Sequence, residues 1–216
     1  MIRVLLVDDH EVVRAGYHRL LESNPDIRVI AEAKSGEEAY SAFVAQVPDV
    51  VIMDLSMPGM GGLEAIRKIL HREKTAKILV FSVHESAIFL TRTLDEGVLG
   101  YITKRSAAKV MIEAVRQVAQ GNVFIGQEMQ NAFVEYQASK VKGVGHNHPL
   151  LDSLSSREFE IFLLVAEGKS VNDIANVLNL SPKTVGHHYT SIKNKLGATN
   201  APELTRLAIR TGLLEP

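Results

Sequence analysis

Along the first 120 residues, short unbroken apolar runs alternate with stretches whose apolar residues recur at helical spacing. This is the pattern of βα units built around a parallel sheet. The runs predict strands at Ile2 to Val7, Ile27 to Ala33, Val50 to Met53, Lys77 to Ser82 and Gly100 to Thr103. The stretches between and after them predict helices at about Glu11 to Ser23, Gly36 to Gln46 with Ser35 as N-cap, Leu63 to Glu73, Ser86 to Glu96 and Ala107 to Gln120. The fold expected is α/β, a doubly wound five-stranded parallel sheet.

After Gln120 the periodicity weakens, apart from a helix over Gln127 to Gln137. The stretch from Ser139 to Pro149 holds turn formers and too few large apolar residues to pack, so it reads as a linker. Its His146 and His148, with no third ligand nearby, are weak ground for a metal site. Beyond Leu154 the pattern becomes purely helical and well punctuated. Ser155 with Glu158 forms a capping box, Ser170 with Asp173 an acidic first turn, Ser181-Pro182 an N-cap before a first-turn proline, and Gly168, Gly197 and Gly212 are helix stops. Four helices follow, at about Ser156 to Glu167, Val171 to Leu178, Pro182 to Leu196 and Ala201 to Thr211. The domains expected are therefore 1–121, a linker with a short helix over 122–150, and a small all-α unit over 151–216.

Composition removes several classes of function. A formal net charge of −1 gives no global basic field, so a nucleic-acid partner must be met by a local patch. With no cysteine there are no disulfides, thiolate nucleophiles or thiolate zinc sites, as suits a reducing compartment. No apolar run approaches membrane-spanning length and no signal-peptide pattern opens the chain, so a cytoplasmic protein without membrane contact is expected.

The chemistry collects at strand ends. In doubly wound sheets functional residues gather at the carboxyl ends of strands, where Asp8, Asp9, Asp54, Ser82 and Lys104 all fall. Alone, Asp54 could simply start the turn Met57-Pro58-Gly59, but a second strand also ends in acids, Asp8-Asp9. Carboxylates 4 Å apart repel by roughly 4 kcal/mol per pair at an effective dielectric near 20, so such a cluster demands a cation. Oxygen ligands without thiolates or clustered histidines favour Mg²⁺ over zinc, and Lys104 adds a point charge suited to a phosphoryl oxygen. His10 and His84, close by, read as bystanders.

In the all-α unit, Asn179-Leu180-Ser181 joins two helices at helix-turn-helix spacing. Val185, Tyr189, Ile192 and Leu196 form an apolar stripe on the second of these, leaving Thr184, His187, His188, Ser191 and Lys195 on or near the opposite face. From Ile174 to Pro202 there is no acid, while Lys183, Lys193 and Lys195 are present, which supplies the local basic patch. A solvated face of a small bundle is the plain alternative.

Two resemblances join these readings. Asp8-Asp9, Asp54 with Met57-Pro58 behind it, Ser82 and Lys104, in that order and spacing, resemble the CheY-like receiver domain of a two-component response regulator. The resemblance implies that a sensor histidine kinase phosphorylates Asp54. It also implies that Asp8 and Asp9 join Asp54 in holding Mg²⁺, that Lys104 contacts the product, and that movement of Ser82 lets Tyr101 turn inward. Leu154-Ser-Ser-Arg157-Glu158, Ala166-Glu-Gly168, Ile174-Ala175, Leu178, Ser181-Pro-Lys-Thr184-Val185, His188, Ile192 and Lys195-Leu196-Gly197 resemble the LuxR-type helix-turn-helix of NarL/FixJ regulators.

This second resemblance implies a recognition helix from Pro182 in the major groove. Lys183, Thr184 and Lys195 would meet phosphates, with Val185 and His188 nearer base edges and His187 and Ser191 on the same surface. It further implies pairing of two modules through Leu207, Ala208 and Thr211, with Leu204 closing the core. RNA polymerase is a further candidate partner. The function expected is a DNA-binding transcription regulator, not an enzyme, whose unphosphorylated receiver covers the recognition helix. The alternative is a phosphorylation-independent regulator using the receiver as an interaction surface. An aspartyl-phosphate hydrolase is disfavoured, because Ser56 stands where those enzymes usually place a second aspartate.

Three residues depart from the family patterns. Arg105 replaces the usual proline, so a cis bond there is either absent or costs an extra ~3 kcal/mol. Gly61 replaces a frequent aspartate cap, and Gly186 replaces a lysine that commonly reaches DNA, at a mid-helix cost of ~1 kcal/mol.

Overall fold

A computed structural model of the chain describes residues 1–106, 108–142 and 149–214. Contacts divide it into two compact units, 1–135 and 136–216. His146 and His148 lie outside the described residues.

The first unit alternates β1 (Ile2–Val7), α1 (Glu11–Glu22), β2 (Ile27–Ala33), α2 (Gly36–Gln46), β3 (Val50–Met53), α3 (Gly62–Arg72), β4 (Ile78–Ser82), α4 (Ala87–Glu96), β5 (Gly100–Thr103) and α5 (Ala108–Ala119). The sheet is wholly parallel, in the order β2-β1-β3-β4-β5-β6. β1, β3, β4 and β5 are apolar runs because helices cover both faces; Val4, Val50, Ile52, Leu79 and Ile102 are fully buried. From β1 the chain steps to one side and then returns to β1's other side, so strand order reverses between β1 and β3.

The sheet has six strands where five were expected. The sixth, β6 (Phe124–Ile125), pairs Gly100 with Phe124 and Tyr101 with Ile125. Two residues show no periodicity of their own, and only the edge of β5 makes them a strand. The helix expected from Gln127 is a 3₁₀ turn over Gln127–Met129 that runs into α6 (Gln130–Lys142).

The second unit holds α7 (Pro149–Asp152), α8 (Ser156–Ala166), α9 (Val171–Val177), α10 (Pro182–Leu196) and α11 (Ala201–Arg210). Phe159, Phe162, Ile174, Val185, Ile192 and Leu204 fill its core. Both capping boxes close: Ser155 and Ser170 each accept from the amide three residues on, and Glu158 and Asp173 reach back to the cap amides. Asn179, at φ 51°, makes the turn between α9 and α10; asparagine tolerates this left-handed region better than most residues.

Candidate functional site

The backbone ladder delivers the acids. β1 and β3 are paired through Val7 and Met53, and the ladder continues one residue beyond each strand: the Asp54 amide donates to the Val7 carbonyl (3.0 Å) and the Asp8 amide to that of Ala33 (3.1 Å). Both carboxylates therefore emerge at the point of strand reversal, the position favoured for ligand sites in open α/β sheets. From β5, Lys104 is placed by its amide donating to the Ser82 carbonyl (2.8 Å). The turn after Asp54 requires glycine at 62, where a Cβ would stand 2.0 Å from the Asp54 carbonyl oxygen.

Lys104 Nζ lies 2.7 Å from both Asp54 Oδ2 and Asp8 Oδ2. Asp54 is 1% exposed, and burial raises its pKa although Lys104 pulls the other way. Burial also opposes the Lys104 charge, but hydrogen bonds and attraction from the two aspartates outweigh it and raise its pKa. One ammonium thus serves two carboxylates. Asp8 Oδ2 is buried against Lys104, and Asp9 Oδ1 is buried 2.8 Å from His10 Nδ1. Ligand atoms of Asp8, Asp9, His10 and Asp54 lie within 4.8 Å of one another. These acceptors fit a hard, oxygen-seeking cation. Arg14 braces the turn, donating to the Asp8 carbonyl (2.7 Å) and to Glu32 (2.8 Å).

Tyr101 stands in the inward position, fully buried, with its hydroxyl donating to the His84 carbonyl (2.8 Å). Burial raises its pKa far beyond the usual phenol range. Ser82 Oγ accepts from the His84 amide (3.2 Å).

In the second unit α10 presents Lys183 and His187 to solvent, with Thr184, Gly186 and His188 half-buried. Its C-terminal half points elsewhere. Ser191 Oγ and Lys195 Nζ each donate to Glu158 of α8 at 2.6 Å, and the Ser155 amide adds a third bond to the same carboxylate (2.8 Å). Burial opposes ionisation of Glu158, but these donors win and hold its pKa down to about 2.

Comparison with known proteins matches residues 4–116 to the response regulator receiver domain and 152–208 to the bacterial regulatory proteins of the luxR family. The chain belongs to the LuxR-type two-component response regulators. It is similar to response regulator UvrY of Escherichia coli, with 41% identity over 99% of this chain and 96% of the relative. Response regulator GacA of Pseudomonas aeruginosa is 40% identical over 100% of this chain and 99% of that one. Among solved structures, RcsB of Salmonella enterica serovar Typhimurium, bound to promoter rprA in the presence of the phosphomimetic BeF3⁻, has a TM-score of 0.64 and 26% identity over 95% of this chain and 98% of that chain. The family is one of transcription regulators. Among the described residues no helix is long and apolar enough to cross a membrane.

For a LuxR-type regulator, several expected residues fall differently. Val185 is fully buried in the module core, where it cannot reach a base edge, because it lies on the apolar stripe that packs α10. Ala208 is also fully buried, which leaves Leu207 and Thr211 as the half-exposed residues of the expected pairing face. The described residues contain no cis peptide bond, so the Lys104–Arg105 bond is trans. Gly61 caps α3 without a side-chain hydrogen bond, as expected.

His84, expected to stand by the site without a role in its chemistry, is held in place by structural contacts. Its ring stacks on Phe89 of α4 (centroids 3.8 Å apart) and its Nε2 lies 2.8 Å from Ser56 Oγ, beside the bonds its backbone makes to Ser82 and Tyr101. The signal was present in the spacing. Ser56 and His84 each stand two residues beyond a strand-end site residue, Asp54 and Ser82, on adjacent parallel strands.

Proposed function

We propose that this response regulator accepts a phosphoryl group on Asp54 from a sensor histidine kinase and that the modified chain, as a homodimer, binds operator DNA through α10. The observation that carries the reading is the Asp54 carboxylate, buried at the strand reversal with Lys104 Nζ at 2.7 Å and an acid pair beside it. An Asp54 oxygen attacks phosphorus as the P–N bond to the kinase histidine breaks, and the bonding pair stays on the departing imidazole nitrogen. Asp8, Asp9 and Asp54 would hold Mg²⁺, which supplies positive charge to the transferring phosphoryl oxygens when bound. Lys104 holds a proton-bearing ammonium where the product's oxygens arrive, and its raised pKa keeps it charged.

The new group carries about −1.5 to −2 charges and three strong acceptors. It competes for the Ser82 hydroxyl, which lies under the His84 amide, and so acts on the residues that hold Tyr101. A switch from mostly inactive to mostly active needs the phosphoryl group to favour the active state by ~5.5 kcal/mol. On the DNA side, Lys183 and Thr184 are assigned to phosphates and His187 and His188 to the groove. Leu207 and Thr211 are assigned to the dimer contact, and the chain to the cytoplasm.

The inward Tyr101 favours a second reading, in which the receiver is held in one state and DNA binding is independent of phosphorylation. One experiment separates the two. Wild type and Asp54→Asn are incubated with a small-molecule phosphodonor and Mg²⁺, weighed intact by mass spectrometry, and carried into selection from a random duplex library. One phosphoryl group, lost in the mutant and accompanied by tighter DNA binding, is expected. Equal DNA binding by both proteins would support the second reading.

A further inference from the structure

Resting on the reading of α10 as the DNA-contacting helix, we infer that Glu158 is the positioning residue of that helix and that Ser191 and Lys195 are its anchors, not contacts to DNA phosphates. Ser191 and Lys195 lie four residues apart, one turn of α10, and each donates to its own oxygen of the same carboxylate, at 2.6 Å to Oε1 and 2.6 Å to Oε2. The Ser155 amide also donates to Oε2, so a single side chain caps α8 and clamps the C-terminal half of α10. The neighbouring Arg157 does the matching work on the other helix, donating from Nη2 to the Leu178 carbonyl at the C-cap of α9 (2.8 Å). Two consecutive residues at the start of α8 therefore fix both helices of the helix-turn-helix.

A phosphate contact by Lys195 would require it to leave a carboxylate that is only 6% exposed, stripping its nearest cation from a charge held away from water. Paired, Glu158 and Lys195 present almost no net charge to a polyanion. Phosphate attraction then falls to the N-terminal half of α10, where Lys183 is exposed at the positive end of the helix dipole.

The test uses the full chain, a duplex recovered by selection with the wild-type protein, and a random-sequence duplex of equal length, each titrated across salt concentrations. Each true phosphate contact steepens the slope of log K against log salt by ~0.9. Lys183→Gln should lower the slope by about one contact. Lys195→Gln and Glu158→Gln should leave the slope unchanged, yet weaken the selected duplex about tenfold and the random duplex less than about twofold, because a misplaced helix loses base readout before it loses charge. Ser191→Ala removes one hydroxyl, so it serves if Glu158→Gln fails to fold; it should weaken the selected duplex about threefold at constant slope. A slope reduced by Lys195→Gln, or tighter DNA binding by Glu158→Gln, overturns the inference while leaving α10 as the recognition helix. An unchanged slope in Lys183→Gln sinks the assignment of α10 itself, and this inference with it.

Discussion

Asp54 and Glu158 are both buried carboxylates with a lysine within 2.7 Å, yet their environments shift them in opposite directions. Glu158 has four kinds of support, from Lys195, Ser191, and the Ser155 amide and hydroxyl, and its pKa falls to about 2. Asp54 shares its one lysine with Asp8 and receives only a long bond from the Ser56 amide (3.3 Å), so burial wins and its pKa rises. The satisfied carboxylate is a structural joint. The under-satisfied one, which shares its lysine and lies beside the buried acceptor oxygens of Asp8 and Asp9, is where a cation and a phosphoryl group can act.

The contrast is most exposed to failure in the effect of deletion. Glu158→Ala removes charge-assisted bonds together with the packing of two methylenes, and should destabilise the second unit by about 4 kcal/mol. Asp54→Asn, which removes a poorly solvated charge, should change the first unit by less than about 1 kcal/mol. Amide hydrogen exchange, read separately over α8 and α10 and over β3 and β4, gives both numbers from one full-length sample. Similar losses in the two units would erase the distinction.

Acid should separate the pair by sign. Glu158 has a folded pKa below its unfolded one, so its stabilisation is fully present above about pH 4.5 and is lost as pH falls through about 2. That lowering corresponds to about 3 kcal/mol, to be read as the stability difference between wild type and Glu158→Gln across that window. Asp54 is raised, so its contribution runs the other way: most favourable below its unfolded pKa and lost as pH rises through the folded value. Loss of stability on acidification attributable to Asp54 would contradict the geometry of its pocket.

Mg²⁺ sharpens the same comparison. A ligand at one hundred times its dissociation constant stabilises the folded form by about 2.7 kcal/mol. That gain should appear in the exchange of β1 and β3, be absent from α8 and α10, and disappear in Asp9→Asn. Equal protection of both units at matched ionic strength would reduce the effect to general screening.

How far these two sites could be read from sequence follows from the same physics. Periodicity fixes elements that bury a face, so the first five strands, α1 to α5 and α8 to α11 were visible, most to within a residue, whereas α7 fell at the expected linker and α6 runs on to Lys142 beyond the expected end at Gln137. β6 was not visible, since two residues acquire strand geometry only from the edge they join. The acid site was legible because parallel strands bring their ends together, and offset counting from those ends also reaches Ser56 and His84. The Glu158 clamp was not legible. α10 lies in a span without aspartate or glutamate, which made its C-terminal half look free for DNA, but the acid arrives from α8, more than thirty residues earlier. Val185 and Ala208 erred for a related reason: a family's functional surface was mapped onto positions whose apolar spacing already assigned them to the core.

The smallest effect tests whether the exposed side of α10 is independent of the clamp. Gly186 sits in mid-helix with nothing within 4 Å of where a Cβ would stand, and its carbonyl accepts from Thr190 Oγ1 (3.0 Å) without steric demand on residue 186. Alanine there should therefore gain helix propensity without a clash, raising the stability of the second unit by up to about 1 kcal/mol. The increment should be the same in the Ser191→Ala background, because residue 186 and the Glu158 carboxylate share no bonding partner and independent sites add. Thermal unfolding of the four proteins of this double-mutant cycle measures it. Coupling above about 0.5 kcal/mol would mean that the DNA-facing half of the helix and its anchor move as one body, and that Gly186 was lowering the cost of that movement.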